Sequence, residues 1–270
     1  MPQYQQRAKK RFGQHFLHDR SVINRMVSAL VLKPDDQVIE IGPGTGALTF
    51  PLLEKLSHLQ LVEIDRDVID WWRQQDQLVQ DKLHIHTLDA LQLDVPALRN
   101  DAENAKLLRI VGNLPYNIST PLIFHLISYA AHISDMLFML QKEVVDRMTA
   151  IPGTKDFGRL SVMVQYFCET EYLLKIGPGA FNPPPKVDSA VIYLKPRTEF
   201  SLIAQDTEVL SATVAQAFSQ RRKTLRNTLK KLLSAEQIES LNIDPSQRAE
   251  TLAVNDFVRL SNLIVAQQNS

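Results

Sequence analysis

Short apolar runs alternate with longer stretches of helical spacing over the first two thirds of the chain. Runs rich in β-branched and aliphatic residues predict strands at residues 37–41, 59–64, 83–86, 107–111 and 136–140. Between them, apolar residues three and four positions apart predict helices at residues 48–56, 67–78 and 121–131. The strands are almost continuously apolar, which is typical of a parallel sheet covered by helices on both faces. The pattern therefore predicts an α/β fold with a mostly parallel sheet.

The pattern changes near residue 200. Two more apolar runs, at 172–176 and 189–195, predict a last pair of strands separated by the proline-rich loop 181–185. Beyond Pro196 only helical spacing remains, and it predicts helices at residues 209–218, 224–233, 235–241 and 256–266. We therefore expect an α/β domain over residues 1–200 and a smaller all-helical domain over residues 201–270.

The composition narrows the class of protein. With 44% hydrophobic and 22% charged residues, the chain matches a globular protein better than a disordered or fibrous one. Its single cysteine, Cys168, excludes an intrachain disulfide and a four-cysteine zinc site. His84 and His86 share one face of a predicted strand, but without a third ligand nearby we expect no metal. The single cysteine is typical of a cytoplasmic protein, and the sequence has neither a secretory signal nor an apolar run of membrane length. We therefore expect a cytoplasmic protein without a membrane partner, and we also expect a monomer.

Charge is unevenly distributed, although the chain is neutral overall. Residues 1–20 hold five basic residues and one acid, and residues 219–231 hold six basic residues and no acid, so the rest of the chain is acidic. Two basic segments on an acidic body favour a polyanionic partner, although two solvated surfaces would have the same composition. Four residues of the second segment are candidate contacts to an RNA backbone, at the start of the predicted helix: Arg221, Arg222, Lys223 and Arg226.

A glycine-rich loop (EIGPGTG) follows the first predicted strand at residues 40–46 and leads into a helix. Gly42 and Gly44 let the backbone turn tightly and approach a ligand closely. Glu63 ends the next strand, where a carboxylate can accept hydrogen bonds from both hydroxyls of a ribose. Asp89 follows the third strand and can accept from an adenine amine, although an aspartate there can equally cap a helix. The G-x-G-x-G spacing differs from the dinucleotide fingerprint, and this favours S-adenosylmethionine (SAM) over NAD.

The sequence Asn-Leu-Pro-Tyr follows the fourth strand at residues 113–116. The exocyclic amine of a base is a poor nucleophile, because its lone pair is delocalised into the ring. Two acceptors that bind its hydrogens, the Asn113 side-chain oxygen and the Leu114 carbonyl, would localise that lone pair on the nitrogen. Tyr116 offers a flat face on which an extracted base can stack, and the hydroxyl has no part in this account. A proline turn with a packed tyrosine is the simpler alternative.

Several motifs together resemble the ribosomal RNA adenine dimethyltransferase family, most closely its bacterial members that act on small-subunit (16S) rRNA. The longest is GNLPYNISTPL at residues 112–122. The others match in the same order along nearly the whole chain: KRFGQHFL at 10–17, EIGPG at 40–44, EIDRD at 63–67, QKEV at 141–144, FNPPPKVDS at 181–189 and QRRKTLRN at 220–227.

This resemblance implies a fold, a cofactor and a substrate. The fold is a Rossmann-like methyltransferase domain with seven strands, the last antiparallel, followed by a helical RNA-binding domain. SAM is the methyl donor, and four methyl groups go to two adjacent adenosines in a hairpin loop near the 3′ end of small-subunit rRNA, within the subunit or its precursor. Phe181 belongs to the acceptor pocket, where it can stack on the other face of the target base, although a phenylalanine buried in the core is the simpler alternative. The implied SAM ligands are His15, Leu17, Gly42, Gly44, Glu63, Asp89 and Asn113.

Three other functions remain open from the sequence. A resistance-type methylase acting on large-subunit rRNA shares the same active-site logic, but the extended motifs at 112–122 and 220–227 favour the small-subunit enzyme. An NAD-dependent oxidoreductase would use the same glycine loop. A ribosome-assembly factor could keep the fold with little catalysis, although the intact 113–116 motif argues for activity.

Overall fold

The computed structural model describes residues 15–99 and 106–268. Its strands are β1 (Phe16–Leu17), β2 (Val38–Ile41), β3 (Leu59–Glu63), β4 (Leu83–Thr87), β5 (Leu108–Asn113), β6 (Ile133–Gln141), β7 (Cys168–Ile176), β8 (Phe181–Asn182) and β9 (Ser189–Pro196). Its α-helices are α1 (Arg20–Ala29), α2 (Thr49–Leu53), α3 (Arg66–Trp72), α4 (Gln77–Gln80), α5 (Ser119–Ile127), α6 (Lys142–Met148), α7 (Arg159–Phe167), α8 (Thr207–Ala217), α9 (Leu225–Thr228), α10 (Ala235–Ser240) and α11 (Val254–Gln268).

Seven strands form one sheet in the order β4-β3-β2-β5-β6-β9-β7. Strands β2 to β6 pair in parallel, and β9 runs antiparallel to β6. The predicted α/β class and the mostly parallel seven-stranded sheet are therefore confirmed. The remaining two strands, β1 and β8, form a separate antiparallel pair in which Phe16 faces Asn182 and Leu17 faces Phe181.

The hydrophobic core of the first unit follows from the apolar runs in the sequence. Alternate strand residues such as Leu61, Val111 and Leu137 belong to one buried cluster, which the apolar sides of α1, α2 and α3 complete. Two of these helices begin at aspartates whose carboxylates accept backbone N–H groups, Asp19 for α1 and Asp65 for α3. The Asp65 cap lies just beyond the end of β3, at the edge of the sheet that carries the candidate site.

The chain divides into two compact units that do not follow its order. The first contains residues 1–145 and 170–196, and the second contains residues 146–169 and 197–270. The predicted boundary near residue 200 thus differs from the structure in one segment, 146–169. Its helix α7 was absent from our predictions, and its apolar residues are buried with partners that come later in the chain. Within the second unit, for example, the Ala204 amide donates to the Tyr166 hydroxyl.

The helix predicted at residues 224–233 is much shorter in the structure. The basic residues 221–223, expected at its start, are not helical. Of residues 224–233, only Leu225–Thr228 are helical. The amides of Leu225 and Arg226 donate to the carbonyls of Gln247 and Pro245, so the helix cannot extend backwards. Residues 221–223 therefore lie in a turn before α9, and only Arg226 lies on the helix.

No helix within the described residues is both long and apolar enough to cross a membrane. Across the same residues, histidine, cysteine and acidic side chains form no group of three that could hold a metal ion.

Gly112, on β5, lies where the backbone of β2 leaves no room for a side chain. A Cβ atom at this position would lie 2.6 Å from the Ile41 carbonyl oxygen of β2. Because that oxygen belongs to a central strand, it cannot move aside as a flexible side chain would. Only glycine therefore lets β5 pass beside β2 at the point where both strands reach the candidate site.

We expect Gly112→Ala to lower the free energy of unfolding by about 1–3 kcal/mol, the usual effect of overpacking. Denaturant titration measures this change. Gly177→Ala is the matched control, because a Cβ there meets no atom within 4 Å, and its effect should stay within about 0.5 kcal/mol. Equal stability of the two variants would contradict the steric account.

Candidate active site

A cavity of about 260 Å³ opens at the carboxyl edge of the parallel strands, where ligands bind in such sheets. Its walls come from the ends of β2, β3, β4 and β5 and from the N-terminal segment around β1. Nine of the residues that the sequence predicts for the site line this cavity together: His15, Leu17, Gly42, Gly44, Glu63, Asp89, Asn113, Leu114 and Tyr116.

The glycine loop forms the floor of the cavity. Gly42 and Gly44 have φ angles of 69° and 51°, which favour glycine because other residues rarely adopt them. A Cβ on Gly44 would also lie 3.3 Å from the ring of Phe16. The Trp72 indole N–H donates to the Gly44 carbonyl at 3.1 Å and holds the loop against α3. The loop is therefore fixed in a form that leaves its backbone open to a ligand.

Two acids follow neighbouring strands beside this loop. Oε1 of Glu63 accepts the amides of Ile64 and Asp65, both at 2.9 Å, which fixes the direction of the carboxylate. Burial raises the pKa of Glu63, while these two hydrogen bonds act against the rise. Asp89 accepts the Leu91 amide at 3.0 Å and caps a 3-10 turn, Ala90–Gln92. Asp89 thus caps a turn and lines the cavity, so the two interpretations of this residue are compatible.

A third acid, Glu40, also lines the cavity, and our sequence reasoning gave it no role. Its side chain is 2% exposed, and its Oε2 accepts the Thr49 hydroxyl at 2.7 Å. Burial raises the pKa of Glu40 to about 8, and repulsion from Glu63 adds to the rise. The signal in the sequence was an acid within the apolar run of a buried strand, directly before the glycine loop.

The charge of the cavity distinguishes between the candidate cofactors. Glu63 and Asp89 line it beside Glu40, which a pKa of about 8 leaves mostly neutral at pH 7, and the described lining residues include no lysine or arginine. A dinucleotide carries two phosphate charges that need basic or N–H partners. SAM carries a sulfonium and an ammonium group beside a single carboxylate. The acids and the open glycine backbone therefore fit SAM better than NAD.

The Asn113 side chain has a defined orientation. Its Nδ2 donates to the His15 carbonyl at 2.9 Å. Because a carbonyl can only accept, the amide nitrogen must face His15 and Oδ1 must face away from it. The loop beyond Asn113 is fixed as well, since the Pro115 carbonyl accepts the Ser119 hydroxyl at 2.9 Å. Asn113, with this oriented acceptor oxygen, and Leu114 both line the cavity.

Tyr116 is held at its edge and on one face. Its hydroxyl is 2.7 Å from the Ser189 hydroxyl, and its ring is stacked with that of His15 at a centroid distance of 5.6 Å. His15 is itself fixed by a 2.8 Å hydrogen bond from Nδ1 to the Pro183 carbonyl. Burial raises the pKa of Tyr116, so its phenol stays neutral. Our sequence reasoning used only the ring face and missed this hydroxyl contact.

Phe181 is the one predicted pocket residue that the structure does not bring to the cavity wall. Its side chain is 3% exposed and belongs to the hydrophobic cluster of the first unit. Its backbone, paired with Leu17, instead joins the proline-rich loop to β1. The predicted stacking of Phe181 on a target base stays a prediction.

Comparison with known proteins identifies the family. Residues 5–266 match the family model described as ribosomal RNA adenine dimethylase. The chain belongs to the ribosomal RNA adenine dimethylase family. Among its relatives are two proteins named ribosomal RNA small subunit methyltransferase A. The one from Alcanivorax borkumensis is 54% identical over 95% of this chain and 90% of its own length. The one from Pseudomonas aeruginosa is 53% identical over 96% of this chain and 95% of its own length.

Solved structures agree with this adenine dimethylase fold. A dimethyladenosine transferase from Plasmodium falciparum superposes with a TM-score of 0.71, at 27% identity, over 91% of this chain and 96% of that one. The 23S rRNA methyltransferase ErmE superposes with a TM-score of 0.68 at 24% identity, over 93% of this chain and 99% of that one, which supports the fold alone.

Three basic residues in the turn before α9 of this adenine dimethylase, Arg221, Arg222 and Lys223, differ in the contacts they make, which the sequence could not show. Arg221 is exposed, but its guanidinium contacts other residues of the second unit. Its Nη2 donates to the Lys155 carbonyl at 2.6 Å, and its Nε lies 3.7 Å from a Glu250 carboxylate oxygen. Arg222 and Lys223, next in the same turn, are exposed. The N-terminal basic residues Arg7, Lys9, Lys10 and Arg11 lie outside the described residues.

The buried Glu40 makes the stability of this adenine dimethylase depend on pH. An unfolded glutamate ionises near its ordinary pKa of 4.5, whereas the folded one does so near 8. The folded state therefore binds more protons between these values, and the contribution of Glu40 to stability is lost as the pH rises.

We expect Glu40→Gln to become more stable relative to wild type as the pH rises from 5 to 8, with a slope of at most about 1.4 kcal/mol per pH unit. Thermal unfolding at several pH values measures the difference. Glu54→Gln is the matched control, because Glu54 is exposed in the same unit and should show no such trend. A constant difference between Glu40→Gln and wild type would show that Glu40 is ionised in the folded protein.

Proposed function

We propose that this protein is a SAM-dependent methyltransferase that forms N6,N6-dimethyladenosine in the RNA of the small ribosomal subunit. The observation that carries the proposal is the oriented Asn113 side chain, whose acceptor oxygen stands beside an acid-lined donor cavity. The relatives at 53–54% identity, both named small subunit methyltransferase A, support the subunit. Two adjacent adenosines in a hairpin loop near the 3′ end of that RNA are the proposed targets, in the cytoplasm.

The proposed chemistry makes an adenine amine nucleophilic. SAM supplies a methyl group attached to a positively charged sulfur. The Asn113 oxygen and the Leu114 carbonyl accept the two N–H groups of N6, which directs the nitrogen lone pair out of the base plane. These acceptors act most strongly as positive charge develops on N6, so they favour the transition state over the bound base. The proton of the product can then leave to water without a dedicated base.

The target base must leave its own stack before this chemistry. Extraction of a base costs a few kcal/mol, and an aromatic platform offsets part of that cost. Tyr116 provides the platform, because His15 occupies one of its faces and its edge is anchored. An adenine is neutral, so it can enter an acid-lined cavity that repels the phosphates around it.

The alternatives are less consistent with the site. The Glu63 and Asp89 carboxylates disfavour the anionic dinucleotide that an oxidoreductase needs. A large-subunit methylase is disfavoured because ErmE is only 24% identical to this chain, against 53–54% for the small-subunit enzymes. A non-catalytic assembly factor would not need the oriented amide of Asn113, which supports catalysis even if the protein also serves in subunit assembly.

The exposed basic turn of the second unit is the proposed contact to the RNA backbone. Arg222, Lys223 and Arg226 are exposed and can reach phosphates. Arg221 supports them indirectly, since it fixes the turn to Lys155 and Glu250. This changes the expectation from the sequence, in which all four residues were direct contacts.

The function is tested by incubating the protein with labelled SAM and unmethylated small subunits, followed by mass spectrometry of the digested RNA. We expect dimethyladenosine from the wild type. Asn113→Ala should lose about 2.7–4 kcal/mol of transition-state stabilisation, a rate loss of roughly a hundred- to a thousandfold at saturating SAM and RNA. Glu63→Ala should instead act mainly on SAM affinity. Near-normal turnover of Asn113→Ala would refute the role of its oxygen.

The RNA contact is tested by the salt dependence of RNA affinity in the double variant Arg222→Ala/Lys223→Ala. Each lost phosphate contact should flatten the logarithmic salt plot by about 0.7–0.9. SAM affinity should stay unchanged, because the donor cavity belongs to the first unit. Lys33→Ala/Lys55→Ala is the control, since it removes the same charge from exposed residues of the first unit. Parallel salt plots for the Arg222/Lys223 variant and wild type would exclude the contact.

A further inference from the structure

Ser189 is a buried serine whose hydroxyl meets the Tyr116 hydroxyl at 2.7 Å. Its side chain is 0% exposed, and it stands at the first position of β9. Its backbone pairs with Gln141 at the end of β6. The hydroxyl is therefore tied to the sheet itself, whereas Tyr116 lies on the loop that follows β5.

A tyrosine ring on a loop has two torsions about which it can swing. The hydroxyl bond fixes the far end of the Tyr116 ring, and the stacked His15 ring limits movement on one face. The nearby hydrogen bond from Ser119 to Pro115 fixes the backbone from which the ring projects. With all three in place, the free face of the ring has one orientation relative to Asn113.

We propose that Ser189 is a positioning residue for methyl transfer: its hydroxyl sets the tilt of Tyr116, so that a base stacked there presents its amine to Asn113. The proposal rests on the proposed function, because it needs Tyr116 to carry the target base. Ser189 acts through Tyr116 and need not touch the base. Tyr116 accordingly needs its hydroxyl as well as its ring.

The Ser189–Tyr116 hydrogen bond should matter more for the second methylation than for the first. After the first transfer the amine carries a methyl group and only one hydrogen, so one of its two hydrogen bonds is gone. The base is then positioned more by the stacking platform than by the acceptors. A platform that can tilt should slow the second transfer more than the first, and monomethyladenosine should accumulate.

The test compares Ser189→Ala, Tyr116→Phe and the double variant in the small-subunit assay. Removing either half of one hydrogen bond should lower kcat by about three- to tenfold, the rate equivalent of a typical net hydrogen bond. The double variant should be no slower than the slower single variant, because both substitutions break the same bond. The ratio of mono- to dimethyladenosine should rise in all three, while SAM affinity stays at the wild-type value.

Ser261→Ala is the matched control, since Ser261 is also 0% exposed and its hydroxyl donates to the Val258 carbonyl of α11 in the second unit. It should leave the product ratio unchanged even if it lowers thermal stability. If Ser189→Ala does not fold, Tyr116→Phe alone must raise the product ratio. A wild-type ratio in the folded variants, or multiplied rate losses in the double variant, would overturn the proposal. A wild type that forms no dimethyladenosine would instead refute the proposed function.

Discussion

The hydrogen bond from the Asn113 side chain to the His15 carbonyl organises the site. It crosses 98 residues of sequence and joins the end of β5 to the segment that opens into β1. β1 in turn pairs with β8, which holds the proline-rich loop and its contact to the His15 ring. Donor cavity, acceptor loop and N-terminal segment therefore share one hydrogen-bonded frame. The Asn113 side chain has its orientation because it donates to a backbone carbonyl from a segment 98 residues earlier in the chain.

Charge separates the two tasks that such an enzyme must combine. A donor with a sulfonium group needs an acidic pocket, whereas an RNA needs basic residues. In this chain the acids gather at the ends of β2, β3 and β4 in the first unit, and the exposed basic turn belongs to the second. In the proposed function, the exposed basic turn of the second unit contacts the RNA backbone, and the carboxylates of the cavity in the first unit disfavour phosphates. A neutral adenine is not repelled by these carboxylates, so it can enter the cavity.

Much of the fold and most of the cavity could be predicted from the sequence. Apolar runs gave the strands of the sheet, and the residues that follow those strands met at one edge because parallel strands end together. The failures were of another kind. The helix predicted at 224–233 is limited to Leu225–Thr228. Carbonyls from residues 245 and 247 accept its first amides, and the Thr228 carbonyl accepts the Gln216 side-chain amide at the end where the helix stops. The burial of the Phe181 ring and the contact between Ser189 and Tyr116 could not be predicted, because they join distant segments and periodicity does not record such contacts. The stacking role of Phe181 stays a prediction.

The interleaved course of the chain has a consequence for its synthesis. The peptide passes between the two units three times, at residues 145–146, 169–170 and 196–197. During translation, α7 emerges long before α8 and α11, which complete the unit in which it is buried. The apolar residues of α7 remain exposed until about a hundred further residues have left the ribosome, which takes about 5–20 seconds at common elongation rates. The second unit therefore completes its core only at the end of synthesis. The time for which α7 can misfold depends on the elongation rate of the ribosome, the same particle whose RNA this family modifies.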